Sequence, residues 1–202
     1  MLAAIALAVA LATSAEGGAG GVGLDAAGSK TSAGSSANGS GRTQGDRSSG
    51  ARGKAKDRST ARATARLIRK GLRVRERNVR GDADCVAHSY GQVQDFFREH
   101  PCTALFRALL EVRDNRGNLA ILAAAWVDMP DPDQARQLQE LMDRGGTGNI
   151  TELSRERGGQ RFSGDYYRSA REDSTVINVQ AEPIGRARAT LAVAELAVNT
   201  TA

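Results

Sequence analysis

Aromatic side chains make up only 4% of the 202 residues, and the chain has two Cys, two His, four Pro and four Lys. With so few rings, and none between Glu16 and Asp84, there is no platform on which nucleic-acid bases would stack, so nucleic acid is not favoured as a partner. Two cysteines exclude a disulfide-dense scaffold and leave at most one bridge or one four-ligand metal site. Apolar runs are short as well: the longest, Met1 to Ala12, falls below the ~20 residues that a membrane-spanning helix needs.

What is present is unevenly distributed. From Glu16 to Gly50, eleven of thirty-five residues are Gly and seven are Ser, with Val22 and Leu24 the only sizeable apolar side chains. Such a stretch buries too little surface to offset its ordering entropy and is expected to be disordered. All four Phe, all three Tyr and the single Trp lie beyond Cys85. The expected organisation is therefore a signal peptide or truncated anchor at 1–15, a Gly/Ser/Ala/Arg-rich linker at 16–65, a basic lead-in with a candidate edge strand at 66–81, and a folded domain at 82–198. Charge follows the same division. The net +5 is the sum of +8 over residues 16–84 and −3 over 85–202, so the basic character belongs to the linker.

The run Met1 to Ala12 is followed by Thr13-Ser14-Ala15, which fits a signal-peptide core cut after Ala15, or the outer part of a longer single-span anchor. Either reading places the domain at the cell membrane facing outward, or secretes it, with the membrane as a partner through the N-terminal segment. Cysteine use points the same way. Cys85 and Cys102 bracket one helix, and in an oxidising compartment a bridge between them would remove roughly 3 kcal/mol of unfolded-state freedom. Free thiols and zinc compete with that reading, since Cys85-x-x-His88 and His100-x-Cys102 supply four ligands, two Cys and two His; the second pair is, however, spaced too tightly for common zinc folds.

Periodicity predicts a small α+β domain: an antiparallel sheet of four to five strands packed with three helices, preceded by the disordered linker. Ser89 and Gln92 form a Ser-x-x-Gln capping box for a helix ending at His100 before Pro101, with Val93, Phe96 and Phe97 on its core face. Leu105 to Arg113 and Leu119 to Val127 are strands joined by the turn-rich Asp114 to Asn118. The second is apolar on both faces and therefore central, with Trp126 inside. Asp131 caps a helix with Pro132 at its first position and Gln134 completing a box, and Ala135, Leu138, Leu141 and Met142 form its buried stripe. A strand is expected near Arg161 to Tyr167, a half-buried one at Thr175 to Ala181, and a last helix at Gly185 to Val198.

The residues Cys85-x-x-His88-Ser89-Tyr90-Gly91-Gln92-Val93-Gln94 through His100-Pro101-Cys102, then Trp126 to Pro130, Gly146 to Asn149 and Gln180 to Pro183, resemble a group of actinobacterial exported or single-span proteins that has no established activity. The likeness covers Cys85 to Pro183. It implies export and a single fold unit, and it transfers no catalytic residue. In layout the chain is similar to extracytoplasmic sensor domains of bacterial membrane kinases, an analogy of arrangement alone.

Candidate chemistry is thin. His88, Ser89 and Asp95 match a hydrolase triad in residue type, but Ser89 is better read as a helix cap. Asp131 and Asp133 sit in a first helical turn, where carboxylates offset the dipole. Gly145-Gly146-Thr147-Gly148 follows a helix instead of opening one, so it lacks the helix N-terminus of a phosphate loop. No pattern calls for a cofactor or an all-protein metal site. The residues singled out for binding are His88, His100, Tyr166, Tyr167 and Arg168, with Cys85 and Cys102 as the disulfide. Two functions follow: a non-enzymatic extracytoplasmic binding or sensor-like module with a cell-envelope ligand or protein partner, or a small envelope enzyme, hydrolase-like, using His88 or His100 as general base.

Overall fold

A computed structural model describes residues 59–185 and 188–202; the expected signal or anchor segment, and all of the expected linker before residue 59, lie outside the described residues. Among the described residues, four helices cover a five-stranded antiparallel sheet, with a two-stranded ribbon beside it. Helix α1 covers 59–69 among the described residues. Strand β1 is Arg73–Asp82, β2 Ser89–Gly91, helix α2 Gln92–Glu99, β3 Ala104–Arg113, β4 Leu119–Asp128, α3 Pro132–Met142, β5 Gly148–Ile150, β6 Tyr166–Glu172, β7 Thr175–Ile184 and α4 Arg188–Thr201. The large sheet runs β1-β3-β4-β7-β6, and β2 pairs with β5. The α+β antiparallel class read from the sequence is the observed one, with a fourth helix added.

The hairpin β3–β4 pairs Ala104 with Asp128 through to Arg113 with Leu119. Its turn is held by Asp114, whose carboxylate accepts from the Arg116 and Asn118 amides at 2.8 and 2.9 Å, an Asx-type local closure. β4 lies third of five, and seven of its ten residues are buried, on both faces. One face, carrying Phe106, Leu110, Leu122, Trp126, Ile177 and Val179, packs under α1 and α4 through Ala63, Leu67, Val193, Ala194 and Ala197. The other carries Leu105, Ala125, Val127 and Val176 and packs under α2 and α3 through Val93, Phe97, Ala135 and Leu138.

Five expectations are corrected. Residues 59–65 are helical and buried at Thr60 and Ala63, so the folded unit starts before Asp82. The stretch 67–68 belongs to α1, and the edge strand begins only at Arg73. Small Ala and Thr side chains at the buried positions disguise the helical stripe. Ser89 does not cap α2: it sits in β2, buried, and its hydroxyl donates to the Cys85 carbonyl at 2.7 Å. Gly91 takes the N-cap position at φ 67°, the left-handed region that favours glycine. The strand expected at Arg161 to Tyr167 starts at Tyr166, because Ser163-Gly164-Asp165 forms a turn before it. β7 is buried on both faces, not half-buried.

Asp131 does cap α3, accepting from the Gln134 amide at 2.9 Å. The return half of the box is missing, since the buried Gln134 side-chain oxygen has no partner among the described residues. Cys85 and Cys102 form a disulfide with Cα atoms 6.2 Å apart, closing a loop over a sequence separation of 17. Both sulfurs are therefore spent, and the zinc reading falls.

Trp126 is 4% exposed against Phe106 and Ile177, so Trp126→Ala should cost about 3–5 kcal/mol by cavity formation. Chemical denaturation measures it; a loss below ~1 kcal/mol would contradict the packing. Replacing both cysteines by serine should cost about 3 kcal/mol, read as a lower unfolding midpoint that reductant no longer changes.

Candidate functional site

The second face of the sheet changes character along its length. After Leu105, β3 places Arg107 and Glu111 on it, and β7 adds Asn178 and Gln180, all four buried. Buried polar groups need partners, and β5, the segment after it and arginines of β1 and β3 supply them. Gln180 Nε2 donates to Glu152 Oε1 at 2.9 Å, and Asn178 donates to the Asn149 side chain. Arg107 Nη1 donates to the Thr151 carbonyl at 2.9 Å and to Glu156. Glu111 is gripped by Arg77 Nε at 2.9 Å and Arg113 Nε at 3.0 Å; these guanidinium contacts hold its carboxyl below the usual range against the opposing effect of burial.

Of these four, Gln180 reaches a cleft of about 510 Å³ that lies between the sheet, the loop after α3 and the segment 151–164, within the range of small-molecule sites. Tyr90 stands on one side with the Arg155 guanidinium 4.8 Å from its ring centroid, a cation–π geometry. Tyr167 stands on another, its hydroxyl donating to Asp143 Oδ1 at 2.9 Å. Burial pushes both phenols above their ordinary pKa; for Tyr167 the Asp143 carboxylate adds to it, and for Tyr90 Glu152 does. The β2–β5 ribbon makes this arrangement reachable. Gly91 pairs with Gly148 there, and a Cβ at Gly148 would collide with the Tyr90 carbonyl oxygen, so only glycine lets the two strands cross this closely and brings Tyr90 beside Asn149.

The residues singled out from sequence do not converge. Tyr167 lines the cleft, whereas Tyr166 packs against the α4 side of the core and Arg168 donates to Asn199 of α4 at 3.0 and 2.6 Å. Strand alternation separates neighbours onto opposite faces. His88 lies outside the cleft lining, its Nε2 2.7 Å from Asp82 and its Nδ1 2.9 Å from Glu156. His100 follows α2 with its ring 4.7 Å from that of Phe96. Among the described residues no group of three or more His, Cys, Asp or Glu could hold a metal ion, and no helix is long and apolar enough to cross a membrane.

Sequence reasoning passed over Tyr90, Asn149, Glu152, Arg155, Arg161 and Gln180 as site residues. One signal was present: Arg107 and Glu111 interrupt an otherwise apolar strand, and Asn178 and Gln180 do the same in β7. No family model matches the chain, and no curated protein or solved structure matches it either.

Asp82 is depressed despite burial by hydrogen bonds from the Asp84 amide and His88, and Glu156 is depressed despite burial by the Arg107 guanidinium. A carboxylate lowered by folding stabilises above its unfolded value, near ~4, and loses that contribution as pH falls below it. Glu156→Gln should therefore lower stability by about 1–3 kcal/mol at neutral pH by stranding buried Arg107. The wild-type and variant curves should converge in acid; a pH-independent gap would contradict the network. Phenolate absorbance should rise late, and the latest step should vanish in Tyr167→Phe.

Proposed function

We propose that this domain is a non-enzymatic extracytoplasmic binding or sensor-like module whose ligand, drawn from the cell envelope, seats in the cleft between Tyr90 and Tyr167. The observation that carries this reading is that the hydrogen-bonding groups around the cleft are fixed before any ligand arrives. Glu152 is held by Gln180, Asn149 by Asn178 and Asp143 by Tyr167, so little side-chain ordering remains to be done on binding. Two tyrosines at its sides supply rigid surface with polar tips, the combination favoured at recognition sites.

The compartment is supported by the Cys85–Cys102 disulfide, a bond that persists in oxidising surroundings. The apolar run Met1 to Ala12 supports export or tethering at the membrane. An envelope hydrolase using a histidine base has less support: the lining of the cleft includes neither His88 nor His100, and both ring nitrogens of His88 already face carboxylates.

Thermal unfolding of the full chain with soluble cell-wall fragments tests the proposal. A fragment at a hundred times its dissociation constant should add about 2.7 kcal/mol of stability, and Tyr90→Ala should abolish that gain while leaving the free protein's melting temperature within a few degrees. A gain that survives Tyr90→Ala would move the site elsewhere. Turnover of a fragment that disappears in His88→Ala would replace the binding reading with the enzymatic one.

A further inference from the structure

The cleft carries a charge imbalance that the fold does not resolve. Three arginines line it, Arg144 from the loop after α3 and Arg155 and Arg161 from the segment before β6, against two carboxylates, Asp143 and Glu152. Each carboxylate is engaged by a neutral donor: the Tyr167 hydroxyl on Asp143 and the Gln180 amide on Glu152, both at 2.9 Å. The ion pairs formed among the described residues engage other arginines. Arg144 Nε donates to the Glu140 carbonyl at 3.2 Å, and Arg155 lies over Tyr90. Exposed Arg161 makes no side-chain hydrogen bond or ion pair among the described residues.

Where arginines are buried or half-buried against the second face of the sheet, carboxylates meet them: Glu111 receives Arg77 and Arg113, and Glu156 receives Arg107. Leaving three without carboxylates around one concavity focuses positive potential there. Guanidinium forks bind carboxylate and phosphate oxygens in paired, charge-assisted hydrogen bonds. The remaining lining includes Asn149, Gln180 and Ser163, whose amide and hydroxyl groups have hydrogen-bonding capacity beyond the bonds they make within the protein, of the kind a polyol uses.

We propose that the cleft selects a small anionic ligand, a carboxylate or phosphate on a hydroxyl-bearing body of sugar size, with the anion on Arg161 and Arg144 and the body between Tyr90 and Tyr167. This rests on the binding reading above and adds the ligand's charge to it. Arg161 anchors the anion because it has no competing partner among the described residues, and Arg155 keeps Tyr90 in place.

The test is an amide-resolved NMR titration of the full chain with glucose, glucuronate and glucose 6-phosphate, with Gly145, Gly146, Gly148 and Gly164 as reporters because they line the cleft. The two charged sugars separate carboxylate from phosphate as the source of the anion. At least one should shift these amides saturably at concentrations where glucose does not. Arg161→Gln should weaken that binding about tenfold or more without moving the melting temperature, and added salt should weaken it in the wild type. Equal binding of glucose, or undiminished binding by Arg161→Gln, would overturn the anion proposal and leave the module reading standing. No shift from any of the three would also overturn it, while stabilisation by cell-wall fragments judges the module reading separately.

Discussion

Strand β4 has no face it can show to water. Ala120, Leu122, Ala124 and Trp126 point one way and Ala123, Ala125 and Val127 the other, all of them buried. Such a strand is stable only between two covering layers, and the rest of the domain supplies them. The alanines keep the sheet surface low, letting helices approach closely; on one side α1 and α4 answer with their own small residues, Ala63, Ala194 and Ala197. Removing either layer would strand apolar surface worth about 25 cal/mol per Å². That requirement also explains why the folded unit reaches back to residue 59.

The two coverings are unequal, and the inequality creates the site. Helices α2 and α3 shield only the end of the second face near Leu105, Val127 and Val176. Beyond it the face turns polar at Arg107, Asn178 and Gln180, where β5 gives Asn178 its partner in Asn149 and a segment without extended regular structure meets Gln180 and the Arg107 Nη1 through Glu152, Thr151 and Glu156. A helix could not do this, because its backbone groups are already paired with each other, whereas an irregular segment has both carbonyls and side chains to offer. The cleft is the space left beside that segment. The disulfide and the His88 contacts to Asp82 and Glu156 hold the surrounding chain ends in register.

Local signals were readable where local physics decides the outcome. The β3–β4 hairpin followed from two apolar runs around Asp114 to Asn118, the α3 start from Asp131-Pro132, and the bridge from two cysteines flanking one helix. Ser89 misled because a hydroxyl able to cap a helix is equally able to turn back onto the Cys85 carbonyl, and pairing of β2 with β5 decided between them. Helix α1 was hidden by Ala and Thr at its buried positions. The site was least legible: Tyr90, Asn149, Arg161 and Gln180 come from four separate elements or loops, and only tertiary pairing gathers them. Adjacent Tyr166, Tyr167 and Arg168 looked like a cluster in sequence, but a strand sends neighbours to opposite faces.

The dependence of the fold on β4 is tested most directly by native-state hydrogen exchange on the full chain, residue by residue. Amides of 120–127 should exchange only through global unfolding, and those in the second half of α1, around Leu67, should share much of that protection because α1 covers the same strand. Exchange of the β4 amides through a partial opening, at a free energy well below that of global unfolding while β3 and β7 stay protected, would contradict the account.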